Sequence, residues 1–374
     1  MTPRPTPPGR RPPPPRGPAR VVLLLQDLAH GGTQRQSLEL ARRLDPALFT
    51  VEIWTLMAGQ DLASRARAWG VPVRRLGEAG WVTPASLARL GRALASEPVD
   101  LLVLLTVVPN IWGRLLGRPA RVPVIVATCR GGASIRRQHE WLLHRLADHI
   151  ICNSRRLQER LRAIYRTRPR AVSRIDNGVD TERLVPGPAG HGPDGPYLLC
   201  LARLAPDKDH ATLLRAFALL AERWPAARLK LAGDGPGRAS LAGLAGSLGI
   251  AGRVEFLGPV ADPAPLLQGA RAVVLSSRRE AMPNAVLEAM ACGRPVVATR
   301  VGALPELVEE TGAGVLAPPG DPRALAAAME QVLAHPDRAA AWGRAGRRAA
   351  VERYSLAAMV QSHQELFLRL LAGG

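Results

Sequence analysis

The sequence predicts an α/β protein made of two similar-sized, doubly wound parallel-sheet domains. Three observations carry this reading. Short, wholly apolar runs alternate with stretches of helical apolar spacing along most of the 374 residues. The pattern breaks at a Pro/Gly-rich loop over 185–196 and then restarts. The strand-like runs are apolar throughout, which is the mark of sheets covered on both faces by crossover helices.

The elements follow in order. The first 20 residues carry five arginines and no acid. Proline at their density neither continues a helix nor donates to a sheet, so they read as a disordered, polyproline-like tail. Strands are expected over 21–25, 51–56, 101–106, 122–128 and 149–153, with helices between them. The first strand leads through His30-Gly31-Gly32 into a helix over 34–44, and this pattern closes near 175–178. After the loop, strands over 197–201, 227–232, 254–257, 272–276 and 295–299 alternate with helices over 211–223, 239–248 and 285–292. An amphipathic helix over 354–371 ends the chain and can pack back across the hinge. The expected organisation is a tail over 1–20, a first domain over 21–185, a second over 186–353, and a terminal crossover helix over 354–374.

Charge is distributed unevenly. The net formal charge is +19, and all but two of the 50 basic residues, Lys208 and Lys230, are arginine. Residues 1–185 hold 30 basic and 14 acidic side chains, against 20 and 17 in the rest. Such a half invites a nucleic-acid reading, and the 130–174 segment holds 12 arginines against three acids. With 4% aromatics and no helix-turn-helix or RNA-recognition pattern, no specific nucleic acid is expected. The longest apolar run, over 101–108, is far short of the ~20 residues that span a bilayer. Cys129, Cys152, Cys200 and Cys292 form no close pair, which suits a reducing, cytoplasmic setting.

Chemistry concentrates at strand-to-helix junctions. The segment 277–284 follows a strand and opens a helix carrying Glu288, so the amides of Ala281, Met282 and Asn284 are candidate unpaired donors. Glu280 and Glu288, eight positions apart, would stand two turns (~12 Å) apart along one helix, suited to two parts of one long ligand and not to a metal pair. The same spacing fits a Glu280 that caps the helix and a solvated Glu288. Arg203 and Lys208 flank another junction, where they clamp a phosphate pair or line an ordinary loop. Asp207-x-Asp209 spells a metal-binding pattern, but Asp209 also suits a helix N-cap. Gly31-Gly32 allows close backbone approach to a phosphate. The turns Gly233-Asp234-Gly235-Pro236 and Asn177-Gly178-Val179-Asp180 read as structural. His139, His144 and His149 do not share a helix face, and no metal site is expected.

In order, these pieces resemble the family-4 retaining glycosyltransferases of the GT-B fold. The core of the likeness is Glu280-Ala-Met-Pro-Asn-Ala-Val-Leu-Glu288, continuing to Gly293-x-Pro295 and Thr299. Around it stand Ala202-Arg203-Leu204, Lys208-Asp209, Gly302-x-x-Pro305-Glu306 and Pro319-Gly320-Asp321. The resemblance implies a GT-B architecture of two facing Rossmann-like doubly wound domains. It implies transfer of a sugar from a nucleotide-diphospho-sugar to a glycan or lipid-linked acceptor, with no metal or other cofactor. Arg203 and Lys208 would neutralise the diphosphate, and the backbone at Gly31 and Gly32 would approach it. Glu280, with the amides at Ala281, Met282 and Asn284, would hold the sugar, and Glu288 would accept from the ribose. Glu280, Arg203 and Lys208 are the catalytic candidates. Many relatives carry a His where this chain has Arg130, making Arg130 a candidate sugar, phosphate or acceptor contact. A basic first domain that faces the acceptor fits docking on an anionic membrane, at the inner face of the plasma membrane. The competing reading is a basic nucleic-acid-binding protein on the same scaffold. A lectin-like relative without activity is disfavoured, because Arg203, Lys208, Glu280 and Glu288 are all present.

Overall fold

The computed structural model describes residues 17–131, 134–166, 168–187 and 196–373. Most of the expected tail, and the 188–195 part of the Pro/Gly loop, lie outside the described residues. The chain divides into two compact units, one of 1–152, 157–175 and 360–374, the other of 153–156 and 176–359.

The first unit holds a seven-stranded parallel sheet. Its strands are β1 (Ala19–Leu25), β2 (Phe49–Thr55), β3 (Val73–Arg75), β4 (Leu101–Leu104), β5 (Val124–Cys129), β6 (His149–Cys152) and β7 (Val172–Arg174), in the spatial order β3-β2-β1-β4-β5-β6-β7. β1 starts at Ala19, inside the stretch read as tail. Arg20 is anchored there: its amide donates to Asp100 Oδ2 at 2.8 Å, and its guanidinium bonds Glu97 and Glu52 at 2.6 and 3.1 Å. Val22, Leu24, Leu102, Leu104 and Ile125 pack together, while Ala127, Cys129, Ile150 and Cys152 join a second cluster. Cys129 and Cys152, which sequence spacing kept apart, are register partners on β5 and β6, both buried and neither in a disulfide.

The second unit holds six parallel strands: β8 (Tyr197–Leu201), β9 (Arg228–Ala232), β10 (Val254–Gly258), β11 (Ala270–Leu275), β12 (Val296–Thr299) and β13 (Gly314–Ala317), ordered β10-β9-β8-β11-β12-β13. The apolar runs are explained by burial on both faces. Leu199, Val273, Leu275, Val296 and Ala298 fill one core, and Leu198, Cys200, Ala272, Val274 and Val297 the other.

The chain passes to the second unit at 175/176, earlier than the 185/186 boundary the Pro/Gly loop suggested. The cause is hydrogen bonding. The Val179 amide donates to the Tyr354 carbonyl at 2.8 Å, the Leu356 amide donates to the Val179 carbonyl at 3.0 Å, and Arg347 donates to the Leu184 and Thr181 carbonyls at 2.8 and 3.0 Å. The terminal helix Leu356–Leu371 belongs to the second unit up to Met359 and to the first from Val360 on. Phe367 from its later half meets Phe49 edge-on at 6.2 Å. Among the described residues no helix is long and apolar enough to cross a membrane.

Candidate active site

In each sheet the strand order reverses once, between β1 and β4 and between β8 and β11. Open parallel sheets bind ligands beyond the strand C-termini at such a point, because the two crossovers diverge there and leave a crevice. In the second unit, β8 runs into the Arg203–Lys208 loop and β11 into the segment carrying Glu280. Both sequence-predicted groups therefore flank the switch point.

The two loops are fastened to each other. The Arg278 amide donates to the Asp207 carbonyl at 2.9 Å, the Ser276 hydroxyl donates to the Lys208 carbonyl at 3.0 Å, and Arg278 Nε donates to Asp209 Oδ2 at 2.8 Å. Across this junction Lys208 Nζ donates to Glu280 Oε1 at 2.6 Å, and the Ser277 hydroxyl donates to the same oxygen at 2.7 Å. The Glu280 side chain is 7% exposed and that of Lys208 18%. The result is a half-enclosed carboxylate carrying a cation and a hydroxyl on one oxygen.

Asp209 is the N-cap of the helix His210–Arg223, in a left-handed conformation at φ 48°. Its carboxylate also binds the Thr212 hydroxyl at 2.8 Å. Arg278 Nε shares that same oxygen, Oδ2, and the Thr212 amide donates to Oδ1 at 3.4 Å, so both oxygens of Asp209 hold structure. Arg203 lies on the exposed side of the same loop, where no bond holds its guanidinium among the described residues.

Glu280 does not cap a helix, as one reading of the spacing had it. Pro283 (ψ 121°) occupies the N-cap position, so the helix begins only at Asn284 and runs to Ala291. Glu280, Ala281 and Met282 form an irregular segment before it, and the ~12 Å estimate for two carboxylates along one helix does not apply. Among the described residues, neither the Ala281 nor the Met282 amide donates to an acceptor in the chain. Their carbonyls are engaged: Ala281 accepts from the Ala303 amide at 2.9 Å and Met282 from Asn177 Nδ2 at 3.1 Å. Backbone so held, with amides left open, is a preformed place for an anionic or hydroxyl oxygen. Glu288 is on the helix and buried, at 5% exposure.

Several residues that build this site were read only as members of motifs, without the role the structure gives them. Asn177, read as part of a turn, donates to Met282 O and, at 2.9 Å, to Asn284 Oδ1. Ser277 is held by Thr299, whose hydroxyl donates to its carbonyl at 2.5 Å. Gly302 sits at φ 58°, where a Cβ would collide with the Glu280 carbonyl. The Gly233-Asp234-Gly235 turn is structural as read, and it supports the Arg203 loop. The Leu204 amide donates to Asp234 O at 3.0 Å, and a Cβ on Gly235 would stand 2.6 Å from Leu204 O.

Beneath the loops, burial drives His210 down to about 4, helped by the Lys208 cation, so its imidazole is neutral. The Cys200 thiol, 3.7 Å from His210 Nε2, is pushed up to about 12 by burial. Neither group is a nucleophile or base in that state.

Gly31, Gly32 and Arg130 belong to the first unit. Gly31 is the extended N-cap of the helix Gly32–Arg43, directly after β1. Thr106 follows β4 at φ 77°, ψ 172°, a region otherwise nearly reserved for glycine. Arg130 follows β5, half-buried, and desolvation lowers its guanidinium to about 10, still cationic at neutral pH.

Comparison with known proteins gives a consistent family. Residues 30–183 match the model of Glycosyltransferase Family 4, and 195–335 that of Glycosyl transferases group 1. The chain is 31% identical over 294 residues to the GDP-mannose-dependent alpha-(1-6)-phosphatidylinositol monomannoside mannosyltransferase of Mycolicibacterium smegmatis, covering 72% of this chain and 77% of that protein. It is 37% identical over 216 residues to D-inositol 3-phosphate glycosyltransferase 2 of Catenulispora acidiphila, covering 53% of this chain and half of that protein. Among solved structures, Anabaena HepE in complex with UDP-glucose superposes with a TM-score of 0.81 at 22% identity, over 94% of this chain and 99% of that one. Sucrose-phosphate synthase from Thermosynechococcus elongatus superposes at 0.79 and 22% identity, over 95% and 100%. At these identities the structural likeness establishes the fold.

Proposed function

Because the chain belongs to the family-4, group 1 glycosyltransferases, we propose that it moves a hexosyl group from a nucleotide-diphospho-sugar to a lipid-linked or polysaccharide acceptor, with retention at the anomeric carbon. The observation that carries this reading is the Lys208–Glu280 pair beside the open Ala281 and Met282 amides at the switch point of the second sheet. Charge develops on the leaving diphosphate as the glycosidic bond breaks. Lys208 and Arg203 offset it, and the fixed placement of Lys208 lowers the cost of reorganisation. When the diphosphate engages Lys208, the Glu280 oxygen that held the ammonium turns to the hydroxyls of the donor sugar. Glu288 accepts from the ribose, Gly31 and Gly32 give backbone approach to the diphosphate, and Arg130 contacts sugar or acceptor.

This set supplies positive charge without a metal, and we take the reaction to be metal-independent. A glycolipid acceptor is favoured by the phosphatidylinositol mannoside named for the Mycolicibacterium relative. A peripheral site of action on the cytoplasmic membrane face is favoured by the +16 of residues 1–185. Purified protein incubated with radiolabelled nucleotide-sugars and a glycolipid extract should release nucleotide and label lipid in the presence of EDTA. No transfer from any nucleotide-sugar would sink the enzymatic reading, and EDTA inhibition reversed by Mg²⁺ would sink the metal-free one. Vesicle co-sedimentation without preference for anionic lipid would remove the membrane assignment.

A further inference from the structure

The second unit's near-neutral charge conceals a local concentration of arginine. A cavity of about 510 Å³ is lined by Arg271, Arg294, Arg344, Arg347 and Arg348, and no carboxylate lines it. It stands apart from the Lys208–Glu280 site. Arg271 is the second residue of β11 and Arg294 stands two residues before β12, so the cavity lies at the N-terminal ends of the strands, whereas Glu280 follows the C-terminal end of β11. A six-residue strand separates these ends by about 20 Å.

The five arginines are of two kinds. Arg294 and Arg347 are fixed by carbonyls: Arg294 Nε donates to Cys292 O at 3.0 Å, and Arg347 Nη1 donates to Leu184 O and Ala291 O at 2.8 Å each. Arg294 is 6% exposed. Carbonyls orient these guanidinium groups but leave their charge unneutralised. Arg271, Arg344 and Arg348 are exposed and form no ion pair among the described residues. Arg344 and Arg348 are also i, i+4 neighbours on the helix Pro336–Glu352, where like charges repel. Unneutralised cations converging on one concavity are arranged for an anion with several acceptor oxygens, and the planar fork of arginine fits phosphate.

We propose that this cavity is a second anion site that takes a phosphate monoester, separate from the donor site and independent of the reaction proposed above. Its volume suits a ligand of sugar-phosphate size. The phosphate arrives either on a free metabolite or on a lipid headgroup. Calorimetric titration at constant ionic strength with glucose 6-phosphate tests the first source, and flotation with phosphatidic acid vesicles tests the second. At least one should bind saturably, and the binding should weaken tenfold or more in the R344A/R348A double variant. Those side chains are exposed, so the thermal unfolding of the unliganded variant should match the parent; if it does not, Arg271→Ala gives the same test. Binding should survive in Lys208→Ala, which separates this site from the donor site. Affinity unchanged by the arginine substitutions, equal heats from glucose or sodium chloride, or binding by neither probe would overturn the proposal.

Discussion

The Lys208 ammonium and the Glu280 carboxylate, 72 positions apart in sequence, meet at 2.6 Å across the ends of β8 and β11. Each holds the other where a nucleotide-sugar would need both. Lys208→Ala removes the charge opposing the leaving diphosphate, and Glu280→Gln removes the acceptor for the sugar. Each is expected to lower kcat/KM by about 10²–10³, the scale for losing one preorganised stabilising group. Steady-state kinetics on folded variants checks this. Undiminished turnover in both would remove these residues from the site.

Asn177 acts one step further back. Its amide group spans Met282 O and Asn284 Oδ1, holding the segment that carries the open Ala281 and Met282 amides. Asn177→Ala breaks both bonds and leaves buried acceptors, costing about 1–3 kcal/mol. It should lower kcat/KM through a looser 281–284 segment. Asn177→Asp cannot donate and should fail to rescue. Urea unfolding and kinetics on the pair distinguish this from a simple loss of packing.

Gly302 and Gly320 both occupy positive φ, at 58° and 75°. A Cβ at 320 meets nothing within 4 Å, whereas one at 302 strikes the Glu280 backbone. Gly320→Ala should therefore cost only the conformational strain, about 1 kcal/mol, and leave activity intact. Gly302→Ala carries the same strain and must also displace Glu280, so it should lose activity as well as stability. Equal activity in the two variants would break the link between Gly302 and the site.

The fold was legible where burial left a clean mark. β8 was read to the residue, and β9–β12 to within a residue or two, because both faces of that sheet are covered and its strands are nearly continuous apolar runs. The short strands β3, β7 and β13 were missed: two of three residues in Val73–Arg75 are arginines on an edge, and Val172–Arg174 and Gly314–Ala317 have one buried residue each. Lys208 and Glu280 were legible as motif members, but their contact was not, since period and spacing describe neighbours along the chain. The contacts of Ser277 and Asn177 were invisible for the same reason. The helix start was read to within a residue, at 285 against Asn284, but the reading that set Glu280 and Glu288 along one helix fails because Pro283 holds an extended ψ before the first turn.

Two buried histidines contribute to the acid limb of stability. Burial lowers His149, with the Arg369 cation adding to it, and His210 likewise, each to about 4 from 6.5. Below 6.5 the unfolded chain takes up protons that the folded chain refuses. Their contribution is therefore complete above about pH 6.5 and is lost as pH drops toward 4. Each histidine contributes at most about 3 kcal/mol to this fall. Urea midpoints measured from pH 4 to 8 should slope upward, and H149Q/H210Q should flatten the slope. A slope unchanged by that double variant would assign it to other groups.

The first unit buries a complete ion pair, Arg114–Glu140, at 2.8 Å with both side chains 0% exposed. Tyr165 donates its hydroxyl to the second Glu140 oxygen at 2.6 Å, but Arg114 Nε and Nη1 have no acceptor among the described residues. The pair is thus dearly desolvated and incompletely repaid, and its two members depend on each other more than the fold depends on the pair. Glu140→Gln strands the guanidinium and should cost about 3–5 kcal/mol, whereas replacing both partners by apolar residues, as in R114M/E140L, should cost much less than the sum of the single changes. Tyr165→Phe should cost about 1–3 kcal/mol, because the carboxylate keeps its cation. A double-mutant cycle by urea unfolding reads this coupling directly. Additive costs would mean that water reaches the pair and that its burial is not what makes it fragile.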